Sequence, residues 1–330
     1  MRSVRALAVL WTVGMGQSAL AGQVALESPG TAKEWLERMI HAAQTLNYEG
    51  TFVYVQGQDI EVMRIVHSSD QSGDRQRMYS LNGPMREVVV TGNRVMCWLP
   101  KQQVAFSTAD PSRSPLPISL PRELNKLEAS YRFEMLDDDR VAGMQTRVIA
   151  IRPRDELRYG YRLWLDHNTG MVLGSALVDR DEQIIEQLVF TDFQVRSNIN
   201  AALFTPQHAL TALQPPAETV SHPADADGAP EWTIEHLPQG FNRILRNRYV
   251  DAGSANPTEQ IVLSDGLATV SVFIDQLADA RPLLQGASHM GSANAYGTVV
   301  GNFQILVVGE VPVETAEWIA GSIKRSDAKP

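Results

Sequence analysis

The chain has 330 residues, 44% of them apolar, and a formal charge of −9, enough apolar material for one large or two ordinary domains with real cores. The acidic balance argues against nucleic acid as a partner, because phosphate backbones are held by basic surfaces. Its single cysteine, Cys97, excludes an intramolecular disulfide and a cysteine metal cage, so the fold stands on burial alone.

Arg2 and Arg5 precede an apolar run from Ala6 to Met15, and Ala19-x-Ala21 then fits a signal-peptidase site. Residues 1–21 read as an export signal, since the run is shorter than the ~20 apolar residues of a spanning helix. No cysteine follows the cut, which excludes a lipoprotein signal. Loss of the two arginines takes the formal charge from −9 to −11.

Thr31-Ala32-Lys33-Glu34 is a capping box, and Ala32, Trp35, Leu36, Met39, Ile40 and Ala43 follow at helical spacing. From Tyr48 the period changes to two. YEGTFVYVQG, DIEVMRIVHSS, DRQRMYSLNG, REVVVTG, NRVMCWLP and QQVAFST are strands separated by Gly, Asn and Asp turns. Pro111, Pro115, Pro117 and Pro121 mark a non-sheet excursion, and Leu124, Leu127 and Tyr131 suggest a short helix. Sheet signal resumes with RFEML, an acidic turn at Asp137–Asp139, and GMQTRVIAIRP. A hairpin, YGYRLWLDHNTGMVLGSALVD, spans Tyr159 to Asp179, with Gly170 free to take the positive φ that closes its turn. Its first strand puts Tyr159, Tyr161, Leu163 and Leu165 on one face and Trp164 on the other. Its return strand is apolar on both, whereas a sheet with one wet face alternates, so the second face needs a cover. IIEQLVFTDFQV ends a run that predicts one wide antiparallel sheet, curling towards a barrel.

Leu213–Pro230 is rich in Pro, Ala and Asp without apolar period, and reads as a semi-stiff linker. Residues 231–330 carry further strands with hairpin signals at Ser264-Asp265-Gly266 and Val300-Gly301-Asn302. After Pro312, Ala316, Ile319, Ala320 and Ile323 form a helical stripe, with Glu314 and Glu317 near the start and Lys324 and Arg325 near the end, as the helix dipole favours. This half predicts a small α+β domain.

Chemistry is hard to find. The histidines at 41, 67, 167, 208, 222, 236 and 289 lack ligand spacing, and Asp137–Asp139 lacks the alternating ligands and distant Glu of a calcium loop. G-x-S-x-G, P-loop and dinucleotide fingerprints are absent. GSANAYG, between a helix-like stretch and a strand, reads as loop and strand entry, and Arg152–Asp155 with Arg158, near Asp166, as an ion network at a sheet edge. The reading assigns no catalytic residue, metal or cofactor. It favours a binding protein over an enzyme.

Several stretches read together carry a resemblance. VAGMQTRVIAIRPRDELRYGYRLWLDHNTGMVL, with NYEGTFVY before it and IIEQLVFTDF after it, resembles the RseB/MucB family of periplasmic regulators of the envelope-stress sigma factor. LPQGF, SDGLATVSVFI and VVGEVPVETAEWIAGSI resemble the same family's C-terminal part. The resemblance implies an unclosed antiparallel β-barrel similar to lipoprotein carriers over residues 22–212, a linker over 213–230 and a small α+β domain over 231–330. It implies a periplasmic protein that binds the periplasmic domain of a membrane-spanning anti-sigma factor and shields it from proteolysis, relieved by lipid or lipopolysaccharide fragments. A lipid or lipoprotein carrier is the alternative; a homo-oligomer is left open.

A curved sheet apolar on both faces needs a core on one side and helices, an acyl chain or a protein on the other. Alternation groups Phe52 with Tyr54, Met63 with Ile65, Met96 with Trp98, and Tyr161 with Leu163. Met and aromatic side chains suit variable apolar ligands, so this set is the candidate lipid site, with ordinary core as the competing reading. Trp318 falls opposite the helical stripe and is the candidate partner anchor. Phe241 in LPQGF is a weaker candidate, placed as a core plug would be.

Overall fold

The computed structural model describes residues 30–70, 73–92, 94–98, 120–206, 222–223, 232–249, 256–277 and 282–326. The expected export signal, the QQVAFST strand and Pro111, Pro115 and Pro117 lie outside the described residues.

Helix α1 (Ala32–Thr45) begins at the expected capping box: Thr31 Oγ1 accepts from the Glu34 amide, and the Glu34 carboxylate accepts from the Thr31 amide at 3.0 Å. Ten strands follow, namely β1 (Tyr48–Gln56), β2 (Asp59–Asp70), β3 (Gly73–Ser80), β4 (Glu87–Thr91), β5 (Arg94–Trp98), β6 (Tyr131–Val141), β7 (Met144–Pro153), β8 (Gly160–Asp166), β9 (Val172–Val178) and β10 (Ile184–Val195). They form one antiparallel sheet in the order β5-β4-β3-β2-β1-β10-β9-β8-β7-β6. Pairing of β1 with β10 joins the two halves, while among the described residues β5 and β6 are the edges, and the sheet there is an unclosed barrel. The expected helix around Leu124 is a single 3-10 turn, Leu124–Lys126.

α1 lays Trp35, Leu36 and Met39, all at most 3% exposed, on one face of this sheet. Beneath it lie Phe52, Ile65, Ile149, Leu163, Leu165 and Phe190 in a single core. Each large apolar side chain buried this way contributes roughly 1.5–3 kcal/mol. Gly50 makes room: a Cβ there would sit 2.5 Å from a ring carbon of Phe190.

The other face is covered by its own side chains. Trp164 lies against Gly174, its cross-strand partner, and its indole N–H donates to Asp139 Oδ2 at 2.9 Å. In the next row Arg162 stands between Ala150 and Ala176, 3% and 1% exposed. Arg162 and Arg152 both reach Glu182, and Arg152 also reaches Glu134 at 2.7 Å. Long Arg stems over small residues keep an apolar surface dry while the charges stay at its edge. Asp137–Asp139 prove to lie inside β6, at a register shift after Met135; the turn is at Ala142-Gly143, both with positive φ. Runs of acids suggest turns, but here Asp138 faces Arg147 at 2.9 Å and Asp139 takes the Trp164 donor.

After a 3-10 turn at Ala201–Phe204, the remaining elements are β11 (His222–Pro223), β12 (Trp232–Ile234), β13 (Asn242–Tyr249), β14 (Thr258–Ser264), β15 (Thr269–Gln276), β16 (Gly286–Met290), β17 (Ala293–Val300), β18 (Phe303–Gly309), α2 (Val313–Gly321) and β19 (Ile323–Arg325). A second antiparallel sheet runs β11-β13-β14-β15-β18-β17-β16, and β12 pairs with β19. Its core joins Trp232, Phe241, Leu263, Val272, Val307 and Ile319. Two expectations are corrected. α2 stops at Gly321, so Lys324 and Arg325 are in a strand, not the last helical turn. The stretch before Gly291 is β16 rather than helix-like. The rest of the expected linker lies outside the described residues, but His222–Pro223 within it pairs with β13.

Candidate functional site

Cross-strand pairing brings most of the expected lipid set together. Phe52 pairs with Met63 and Phe190, Ile65 with Gly50, Tyr54 with Leu188, Leu163 with Ile149 and Tyr161 with Ile151. Phe52, Met63, Ile65 and Leu163 are 2%, 6%, 0% and 0% exposed, so beneath α1 they have no open surface. Tyr54 and Tyr161 are half-buried at the margin of that core. Met96 is half-buried opposite Val89 and is not among the core's members; Trp98 pairs with Glu87 on the same edge strand. Cys97 beside them is half-buried, and burial pushes its thiol up.

Tyr54 and Tyr161 border the seam where the two sheets meet, which the sequence did not disclose. Arg158, in the loop before β8, donates from Nη1 to Asp265 Oδ2 at 2.6 Å, with both side chains 0% exposed. It also donates from Nε to Asp155 at 3.0 Å and from Nη2 to the Gln239 carbonyl at 2.7 Å, and its guanidinium lies 5.1 Å from the Phe241 ring centre. The hydroxyl of Tyr131 donates to the same Asp265 oxygen at 2.9 Å. Burial first, and then the Asp265 charge, push that tyrosine's ionisation well above its ordinary value. Arg158 was expected beside Asp166; it is instead the buried cation of the seam, because only Asp265 and surrounding acceptors can compensate a charge removed from water.

Three further contacts cross the seam. Asn294 Nδ2 donates to the Tyr159 hydroxyl at 2.8 Å, Thr315 Oγ1 to the Leu157 carbonyl at 2.8 Å, and Gln56 Nε2 to Ser292 Oγ at 3.1 Å. Leu267, from the β14–β15 turn, packs against the core of the first sheet. Gly240 and Gly266 let that contact close, since a Cβ on either would press on Ser130 or Leu127.

Trp318 is 44% exposed on α2, on the side away from the buried Ala316, Ile319 and Ala320, as its spacing predicts. Phe241 is 4% exposed, in the second core and against Arg158, so it offers no free anchoring surface here. Its place is that of a plug.

Models of the MucB/RseB N-terminal domain and the MucB/RseB C-terminal domain match residues 31–208 and 226–324. The chain is 34% identical over 302 residues to the sigma factor AlgU regulatory protein MucB of Pseudomonas aeruginosa, covering 89% of this chain and 90% of that one. Among solved structures, that of the Pseudomonas aeruginosa MucA/MucB complex is similar with a TM-score of 0.75 and 28% identity, over 90% of this chain and 99% of that one. A crystal structure of MucB alone gives 0.61 and 27%, over 89% and 98%. With two models of one family laid in order over most of its length, the chain belongs to the MucB/RseB family.

Proposed function

We propose that the chain is a periplasmic negative regulator that binds the periplasmic domain of a membrane-spanning anti-sigma factor and holds it away from the protease that begins its destruction. One observation carries the reading: the likeness extends over 99% of the matched chain in the structure of the MucA/MucB complex, and is higher there than for MucB alone, 0.75 against 0.61. The export signal read in residues 1–21 agrees with the compartment. The chain acts by binding, and Trp318 is the anchor it offers, since exposed Trp is enriched at binding hot spots.

Lipid sensing is the second half of the proposal. Phe52, Met63, Ile65 and Leu163 form an apolar floor that an acyl chain reaches only when α1 lifts, with Tyr54 and Tyr161 at its margin and Met96 and Trp98 on the edge strand. A lipid that favours the lifted form lowers partner affinity only by the difference in its own affinity for the two forms. Titration of the purified chain with the periplasmic segment of the anti-sigma factor, with and without an acylated lipopolysaccharide fragment, tests both halves. Binding that weakens when the fragment is present is expected. Absence of binding at ~100 μM segment, an affinity too weak for a stable complex, overturns the regulator; equal binding in both arms overturns the sensing.

A further inference from the structure

The seam is held by a buried ion pair at Arg158 and Asp265, but its electrostatics are reversed elsewhere. Glu186, on β10 and 8% exposed, accepts at Oε2 from the Tyr54 hydroxyl at 2.6 Å and from Gln56 Nε2 at 3.3 Å. That same Gln56 nitrogen donates to Ser292 Oγ, and Ser292, 2% exposed, gives its only hydroxyl proton to Glu310 Oε1 at 3.0 Å. Two carboxylates, one from each sheet, are therefore joined through one amide and one hydroxyl. Among the described residues neither forms an ion pair. By contrast, the buried carboxylates Glu87, Glu259 and Asp265 each hold an arginine, while buried Asp166 accepts from Thr169 within its own turn.

Among the described residues, the surroundings supply no cation to either carboxylate. Glu61 on β2 is paired with Arg86 at 2.8 Å, and Asp265 with Arg158. Burial first, and then the charges of Glu310, Glu186 and Asp265, push the ionisation of Tyr161 on β8 up. His289 on β16 is bonded to Asn294. The Ser292 turn is also tightly seated: Gly291 has φ +66°, and a Cβ there would meet Gln56 at 2.5 Å. Glu310 is itself exposed, which lets it exchange protons with solvent.

We infer that Glu186 and Glu310 form a pH-dependent latch between the two sheets, closed when Glu310 carries a proton and loosened when it is ionised beside the Glu186 charge. Like charges without a counter-ion disfavour double ionisation, so docking and proton uptake favour each other. In agreement, partial burial and then the Glu186 charge hold the Glu310 carboxyl above its ordinary range, against the opposing bond from Ser292. A carboxyl raised in the docked form contributes docking stability that is fully present below its undocked value. That contribution is lost as pH rises through the docked one.

Amide hydrogen exchange of the full chain at pH 5 and pH 8, corrected for intrinsic rates, reads the latch at Tyr54–Gln56 and Gly291–Asn294. Wild type is expected to lose about tenfold in protection there at the higher pH, the factor that corresponds to one pKa unit of coupling. Glu310→Gln and Glu186→Gln should each remain protected at both pH values. Ser292→Ala, which keeps both charges, should lower protection throughout but retain the pH difference. Equal protection of wild type at the two pH values overturns the latch. So does an undiminished pH difference in either Gln variant.

Discussion

Arg158 and Asp265, 107 residues apart, meet at 2.6 Å with neither side chain exposed. Replacing Asp265 leaves buried Arg158 with only the part-exposed Asp155 as an ionic partner, and breaking a buried pair from one side typically costs about 3–5 kcal/mol, whereas replacing both with apolar groups is often tolerated. Asp265→Asn keeps an oxygen for the local turn while removing the charge, and is expected to lower unfolding free energy in urea by about that amount. A double variant, Arg158→Met with Asp265→Leu, should lose less than the sum of its parts. Strict additivity would mean that the pair is not coupled.

Gly50 is a second vulnerable point. The Phe190 ring and the Asp192 carbonyl stand where its Cβ would go, and overpacking of a filled core costs about 1–3 kcal/mol. Gly50→Ala should therefore lower the urea midpoint with an unchanged slope, even though Ala is the better strand residue. A neutral outcome would show that Phe190 can turn aside.

His67 makes the chain acid-sensitive. It is 6% exposed, stacks on Tyr48 with ring centres 5.1 Å apart, and its Nδ1 lies 2.7 Å from the Leu46 carbonyl, a contact that requires the proton on that nitrogen. Burial lowers its pKa, outweighing that bond and the Asp74 charge. The folded form thus prefers neutral imidazole, so its stabilising contribution is complete above the ordinary value of 6.5 and is lost as pH falls through the folded one. Thermal unfolding from pH 7.5 to 5 should show this slope in wild type and a flatter one in His67→Gln. Because Glu310 acts with the opposite sign, acid should tighten the seam while it weakens the first sheet.

Trp318 separates binding from folding. Its side chain is nearly half exposed, and surface changes of this kind usually alter stability by less than about 0.5 kcal/mol. Hot-spot truncations cost about 2 kcal/mol or more in binding. Trp318→Ala should keep its melting temperature and bind the anti-sigma segment roughly 30-fold more weakly. Unchanged affinity would remove this face of α2 from the interface.

The local signals in the sequence were enough for α1 with its capping box, for the period-two strands, and for the turns at Gly170, Gly266 and Gly301, all three with positive φ. Those features depend on neighbours a few residues away. Asp137–Asp139 misled because the same acids that favour turns can sit at a bulge when Arg147 and Trp164 wait on adjacent strands. Period two paired Phe52 with Tyr54, Met63 with Ile65 and Tyr161 with Leu163, yet it reports a shared face within one strand and not what lies on it. α1 is what separates core from cavity there. The seam was illegible for a stronger reason, since no spacing ties Arg158 to Asp265 or Gln56 to Ser292. The available hint was arithmetical: RPRDELR holds three arginines and two acids, so one cation had to find its counterpart outside the stretch.

Asp265 divides its two oxygens between near and far. Oδ1 accepts from the amides of Leu267 and Ala268, at 2.9 and 2.8 Å, and so shapes its own hairpin, while Oδ2 faces Arg158 and Tyr131. The hairpin thus fixes the carboxylate's rotamer before any neighbour arrives, and little orientational freedom is left to surrender on contact. The second sheet meets Arg158 and Tyr131 with a carboxylate already aimed at them by its own hairpin.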